Sequence, residues 1–433
     1  EIILKKFVDH ASSGLKNHLI KIESKTTMSK NIWIINQYLT TPELNGDGYR
    51  HYYLAKEFEK KGFDTTLITS SFSHVPNKDI RFKGFFKIFD NDVRTLVIKG
   101  NRFANSKGVQ RIFSWLIFCG LLFFIPKHKL PKPDYIIVSS MSLLPILNVV
   151  FHFKKKYPKA KFIFETRDLW PLTIIELGGY SEKNVFVRFL AWVEKLGYGN
   201  ADNLVSVLIN ADKHIQNVLG HNKFKFSWIS NGYCLDTSKK EEQIGKYLDI
   251  MVPKDKFIVG YAGTLGKANA MEFVIQAMNN VPKNICLCLL GSGNEKENLI
   301  EMANSDNIVF LDKVPKSQVL PFLKACDLLY LGWYNSEIYN YGISAQKTFD
   351  YMFAGKPILM SGEFLDNPIS KGKCGFVIPA ENSDKIKEAI ISISLMDKTS
   401  LDLLGNTGRE YLMGNFTYDK LAQKYISEVF DEH

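Results

Sequence analysis

Several familiar signatures are missing from this 433-residue chain. None of its six cysteines forms a Cys-x-x-Cys pair, so neither a zinc site nor a disulfide framework is indicated, and reduced thiols of a cytoplasmic protein fit best. Cys286 and Cys288, the one close pair, are placed by strand alternation on a single face without redox chemistry. His51, His74, His214 and His221 show no metal-ligand spacing. Gly-x-Ser-x-Gly and Gly-x4-Gly-Lys-Ser/Thr are both absent, which removes the hydrolase elbow and the P-loop. No apolar run reaches the ~20 residues that cross a bilayer. The longest, 112–125, follows Arg111 and is followed by Pro126, Lys127, His128 and Lys129. It reads as a buried helix on a sheet. The alternative is a helix lying against a membrane, its basic flanks near anionic headgroups. Residues 1–27 lack the apolar core of a signal peptide and precede Met28 and the first good strand, so they read as a leader or extension outside the core.

What is present is ordinary for a globular protein: 45% apolar and 23% charged residues, with 31 Phe. The net charge of +10 suits a polyanionic partner such as nucleic acid, anionic lipid or a diphosphate ligand. It is not gathered into one basic block, so a nucleic-acid-binding tail is not indicated. Strand-like runs at 31–37, 63–70, 94–99, 135–139, 161–165 and 203–207 alternate with helical patterns at 49–61, 149–156 and 184–199. After a polar stretch at 230–253, the alternation restarts with strands at 256–262, 285–290, 308–311, 327–331 and 357–360. This is βαβ arithmetic twice over. It predicts an α/β protein with two Rossmann-like domains, 28–229 and 254–405, facing a central cleft across a 230–253 linker, with a helix at 406–433.

Four clusters of residues stand out, several of them where strands end, which is where open α/β sheets bind ligands. The first is Asn36-Gln37-Tyr38, Pro42 and Asn45-Gly46-Asp47-Gly48-Tyr49-Arg50. Its glycines let backbone approach a ligand ahead of a helix N-terminus. The second is Glu165-Thr166-Arg167-Asp168-Leu169-Trp170-Pro171. The third comprises Asn231-Gly232, Gly263-Thr264-Leu265-Gly266-Lys267, Gly291-Ser292-Gly293 and Lys313-Val314-Pro315. The fourth runs from Tyr341-Gly342-Ile343-Ser344-Ala345-Gln346-Lys347 through Asp350 to Gly355. Together they resemble the retaining GT-B glycosyltransferases of family 4, in particular the subgroup that builds bacterial O-antigen and capsule sugars.

That resemblance implies a transferase using a nucleotide-sugar donor, UDP-linked, and a lipid-linked or glycan acceptor, with no metal and no separate cofactor. It implies donor contacts at Gly48, Arg50, Gly263, Lys267, Gly291, Gly293, Val314, Ser344, Gln346 and Asp350, the last holding the ribose hydroxyls. Lys347 is expected to neutralise the departing diphosphate. Asp168 either deprotonates or orients the acceptor hydroxyl; Arg167 either faces the leaving diphosphate or pairs with Glu165 or Asp168. It also implies a C-terminal helix that crosses back to the N-terminal domain, and peripheral contact with the inner face of an anionic membrane.

The chain departs from the family pattern in two places. Gly342 stands where the first Glu of a Glu-x7-Glu motif belongs, and Thr264 and Ala270 replace a basic pair. A nucleotide-sugar 2-epimerase of the same fold and a non-catalytic glycan-assembly subunit are the alternatives. Asp90-Asn91-Asp92 imitates a metal–nucleotide motif of another transferase fold, but it lies in a polar loop and is not assigned a metal.

Overall fold

The structure, a computed structural model, describes residues 29–44, 50–73, 78–101, 109–140, 142–235, 243–362, 364 and 366–430. Gly48 and His74 lie outside these residues.

The first sheet has eight strands: β1 Asn31–Ile35, β2 Asp64–Ser70, β3 Phe86–Asp90, β4 Arg94–Ile98, β5 Tyr135–Ser139, β6 Lys161–Thr166, β7 Asn203–Ser206 and β8 Phe226–Trp228. Their order is β8-β7-β6-β5-β1-β2-β4-β3. Every pairing is parallel except β3 with β4. The parallel strands read as continuous apolar runs because both faces are covered. Ile32 and Ile34 point into one core, Trp33 and Ile35 into the other. β3 escaped the sequence reading because it is an edge strand whose FKIFD pattern is only partly buried.

The second sheet has six strands: β9 Phe257–Ala262, β10 Ile285–Leu290, β11 Ile308–Leu311, β12 Leu328–Gly332, β13 Ile358–Ser361 and β14 Gly375–Ile378. They run β11-β10-β9-β12-β13-β14, all parallel. In each sheet the strand order reverses beside the first strand, at β1 and at β9. The loops leaving those strands therefore open into a crevice.

Seven helices matter for the site: α1 Arg50–Lys60, α2 Val109–Leu122, α3 Val185–Asn200, α4 Ala211–Leu219, α5 Gln346–Ala354, α6 Lys398–Asn415 and α7 Tyr418–Tyr425. Asn184 caps α3 by accepting from Phe186 N, and Asp397 caps α6 by accepting from Ser400 N. The expected single C-terminal helix is two, because Thr417 leaves helical geometry to bridge Tyr233. The crossing itself is present. Tyr425 and Phe430 pack edge-on or tilted against Phe58 of α1, and Tyr135 Oη donates to the Phe430 carbonyl at 2.7 Å. One apolar cluster thus runs from β1 through α7 into the second domain. The greasy helix α2 is not fully buried as expected: Trp115, Phe118 and Leu122 face inward while Phe113 and Leu116 face solvent. An all-apolar sequence does not tell which side is covered.

Candidate active site

A cavity of about 500 Å³ lies between the domains. Tyr38, His51, Arg167 and Asp168 line it from the N-terminal side, Trp333, Ser344 and Gln346 from the C-terminal side. The wall behind Arg167 is built on Glu165, the last but one residue of β6. Its carboxylate is fully buried and accepts from Arg50 Nη2 at 2.9 Å, Arg50 Nε at 3.2 Å and Ser139 Oγ at 3.1 Å; His51 Nε2 lies 2.7 Å from it. Burial alone raises a carboxyl, but the Arg50 guanidinium and His51 outweigh it and hold Glu165 well below the usual carboxylate range. Burial pushes His51 down despite Glu165, with Arg167 and Arg50 adding to the effect. The neutral ring then donates from Nε2 to the carboxylate.

Arg50 also donates to the carbonyls of Ile229 and Ser230, so it ties α1 to the start of the interdomain segment. Most of its donors are thus engaged within the protein, although it was expected at the donor. Arg167 differs. Among the described residues no ion pair joins it to Glu165 or Asp168, and its buried Nε has no hydrogen-bond partner. Its backbone N–H is fixed by Ser140 Oγ at 2.8 Å. Burial raises the Asp168 carboxyl, against the pull of Arg167 and Arg111. Arg111, from α2, sits over the rings of Trp115, Trp170 and Tyr38 at 5.3, 5.7 and 5.9 Å.

On the opposite wall the N-terminus of α5 carries no side-chain cap, leaving its first amides for an anion. Ser344, just before it, is engaged by the linker: its Oγ accepts from Asn231 N at 3.0 Å and its carbonyl from Asn231 Nδ2 at 2.7 Å. Gln346 Nε2 donates to the Gly232 carbonyl at 2.9 Å. Lys347 turns away from the cavity lining toward the loop after β9. Its Nζ donates to Tyr261 Oη at 2.9 Å and to Asn269 Oδ1, and burial lowers it to about 8. A Cβ on Gly263 would lie 3.4 Å from that Nζ, so Gly263 and Lys347 do share one corner.

Gly291 and Gly293 have a backbone reason. A Cβ would meet the Gly263 carbonyl at 1.9 Å and the Leu265 carbonyl at 2.0 Å, respectively, so the two strand-end loops can stack only on glycines. Lys267 is exposed at the tip of the first of these loops, and Val314 is half-buried against the core. Burial raises Asp350 to about 6, against Lys316 and a hydrogen bond with Gln346. The cavity thus gathers Arg50, Arg167, Asp168, Ser344 and Gln346, while Lys347, Asp350, Gly263, Lys267, Gly291, Gly293 and Val314 are not among its lining residues. Arg111, His51 and the carboxylate role of Glu165 were not foreseen.

The Asp90-Asn91-Asp92 decoy forms the β3–β4 turn. Asp90 pairs with Arg94 at 3.3 Å, and Asp92 accepts from Tyr52 Oη at 3.1 Å.

Residues 256–395 match the family model for glycosyl transferases group 1. No curated protein matches significantly in sequence. Among solved structures, a sucrose-phosphate synthase from Thermosynechococcus elongatus is similar with a TM-score of 0.67 at 16% identity, over 92% of this chain and 98% of that one. Anabaena HepE in complex with UDP and glucose gives 0.61 at 12% identity, over 93% and 99%. The E. coli trehalose-6-phosphate protein bound with UDP-2-fluoro glucose gives 0.70 at 9% identity, over 93% and 100%. The architecture is GT-B. In the GT-B frame the cavity is the interdomain cleft, and the matched segment spans the second sheet and α5.

Proposed function

We propose that this chain is a retaining glycosyltransferase that moves a hexosyl or N-acetylhexosaminyl unit from a UDP-sugar to a lipid-linked or glycan-precursor acceptor of a bacterial surface polysaccharide. The observation that carries the reading is the cleft itself. The uncapped N-terminus of α5 on one wall faces the cavity that Arg167, with an unmet buried donor, and Asp168 line from the other. A departing diphosphate gains negative charge as the glycosidic bond breaks, and the helix amides oppose that charge without a metal; Lys347 joins them once its amine is drawn from Tyr261 and Asn269. Asp350, Gly263, Lys267, Gly291, Gly293 and Val314 form the donor side in this reading, with 254–405 as the donor domain and 28–229 as the acceptor domain. Asp168 takes or orients the acceptor hydroxyl proton, and Arg167 faces the phosphates.

The test is calorimetric titration with UDP-, GDP- and dTDP-sugars, followed by transfer assays in excess EDTA. Selective UDP-sugar binding and metal-independent transfer are expected. Undetectable nucleotide binding would leave a non-catalytic subunit. Conversion of UDP-GlcNAc to its 2-epimer without acceptor would make the protein an epimerase.

A further inference from the structure

The first domain's side of the cavity carries a histidine with one ring nitrogen engaged by the protein and the other left open. His51 lines the cavity but is 3% exposed, so a small and fixed part of its ring meets the ligand space. Its Nε2 lies 2.7 Å from Glu165 Oε1, the oxygen that also accepts from Ser139 Oγ at 3.1 Å, while Glu165 Oε2 takes both bonds from Arg50. One carboxylate oxygen thus serves the guanidinium and the other the imidazole. An ionised Glu165 can only accept, so the neutral ring carries its proton on Nε2 and its lone pair on Nδ1. Among the described residues no hydrogen bond engages Nδ1, and that atom is not sealed in the interior, so it opens on the cavity.

A buried carboxylate that fixes the tautomer and a lone pair turned to substrate space are the two parts of a carboxylate–histidine general base. The other candidate on this wall is Asp168. The guanidiniums of Arg167 and Arg111 oppose its gaining a proton, so it suits holding an acceptor hydroxyl more than deprotonating one. The charged groups that act on His51 are Glu165, Arg167 and Arg50, with Tyr418 and Tyr425 beside Arg50. Burial and the two arginines keep the ring neutral and ready to accept. Glu165 supplies the counter-charge once the ring becomes an imidazolium.

We infer that His51 removes the proton of the acceptor hydroxyl, with Glu165 as the residue that positions it and Asp168 as the group that orients the hydroxyl. The O–H bond breaks toward Nδ1 and the oxygen bonds to the anomeric carbon. The bond from that carbon to the diphosphate oxygen breaks, its electron pair leaving on UDP, and the imidazolium returns its proton to solvent. This rests on the transferase reading and deepens it by naming the base of the same cleft. In a retaining transfer the rival proton acceptor is the departing phosphate oxygen, which lies on the face the hydroxyl enters.

Two measurements on the full chain test it. In protein carrying isotope-labelled histidine, nitrogen NMR should show the His51 ring, assigned by its loss in His51→Gln, as the Nε2–H tautomer at neutral pH. An Nδ1–H ring cannot accept the proton and overturns the inference. UDP release from UDP-glucose and UDP-GlcNAc, with water as the acceptor, is then followed against pH at saturating donor. His51→Gln keeps a donor in reach of Glu165 and should retain the wild-type melting curve and UDP affinity while losing about a hundredfold or more in kcat. His51→Ala should fall likewise and recover with added imidazoles in the order of their basicity; equal recovery by all of them would mark a packing role and overturn the inference. The wild-type rate should fall as acid protonates the ring, and Glu165→Gln should move that acid limb to lower pH, because the imidazolium loses its counter-charge. An acid limb that survives His51→Gln but disappears in Asp168→Asn gives the proton to Asp168, and a wild-type rate in His51→Gln gives it to the departing phosphate. Either result overturns this inference and leaves the transferase reading. Absence of UDP binding removes that reading and this inference with it.

Discussion

Two buried ionisable side chains on α5, proposed for the donor side, have pKa values displaced toward neutrality. Asp350 is raised to about 6 and Lys347 lowered to about 8, both by burial. If Asp350 accepts from ribose hydroxyls, it must be ionised, so donor affinity rises as pH climbs through about 6. If Lys347 opposes the diphosphate, it must be protonated, so affinity falls as pH passes about 8. A bell-shaped pH dependence of UDP-sugar binding is therefore expected, with Asp350→Asn flattening the acid limb and Lys347→Met the alkaline limb. Asp350→Ala should weaken binding roughly ten- to a hundredfold, the equivalent of a charged hydrogen bond. Flat profiles in the wild-type protein would remove both assignments. Glu165 is a different case. Its depressed carboxyl contributes stability above the unfolded pKa of about 4.3 that is lost as pH falls below it. Glu165→Gln leaves the Arg50 guanidinium buried without its counter-charge and is expected to cost about 3–5 kcal/mol in urea denaturation, with a shallower acid dependence. Gly263 was named from a local motif after a strand, and Lys347 from the resemblance of the segment 341–357 to the family. The Arg50–Glu165–His51 cluster was not, since its partners lie 114 and 115 residues apart in sequence and no local pattern marks such a pair.

The elements were legible wherever burial is two-sided. β1, β5, β6, β9 and β10 announce themselves as apolar runs; β3 does not, because Lys87 and Asp90 interrupt it, one on each face. The same limit hid the open side of α2. Gly342 shows why a departure from a family pattern can have a structural cause. It closes the short helical turn Glu337–Tyr341 with φ +111°, and a Cβ there would stand 2.9 Å from Ile209 N of the other domain. Next to it Asn210 N donates to the Tyr341 carbonyl at 2.9 Å. A Glu at this position therefore meets a strained backbone and a closed interface together. Gly342→Ala and Gly342→Glu are both expected to lose about 1–3 kcal/mol of stability. The Glu variant, although it restores the motif, should transfer sugar no faster than wild type. Higher activity in Gly342→Glu with an unchanged melting temperature would show that the position is free to carry the family carboxylate.

At the scale of the molecule, the chain's last helix decides whether the domains act as one body. The crossing was expected from family resemblance and not from residue pattern, since 418–430 mixes polar, aliphatic and aromatic residues without declaring which domain they meet. The structure gives them to the first domain. Phe430 lies 5.3 Å from Phe58, 5.4 Å from Phe63 and 4.4 Å from Tyr135 between ring centroids, and Asn203 Nδ2 donates to the Val429 carbonyl at 3.3 Å. These contacts lie more than 200 residues from α7 in sequence, yet they close the core beneath β1 and β5. Removing the Phe430 ring leaves a cavity among four aromatics, Phe58, Phe63, Tyr135 and Tyr425, that can relax only in part, so Phe430→Ala should cost about 3–5 kcal/mol. The loss should fall on the first domain. Amides of α1, β1 and β5 are expected to exchange hydrogen faster, while β10 and β11 keep wild-type protection. Because the same segment packs the second half of the chain onto the first domain, acceptor-dependent turnover should fall more than UDP binding if, as proposed, the second domain holds the donor. Equal loss of protection in both sheets would mean that the two domains unfold as a single unit. Wild-type exchange throughout would mean that the C-terminal crossing adds no stability to the first domain.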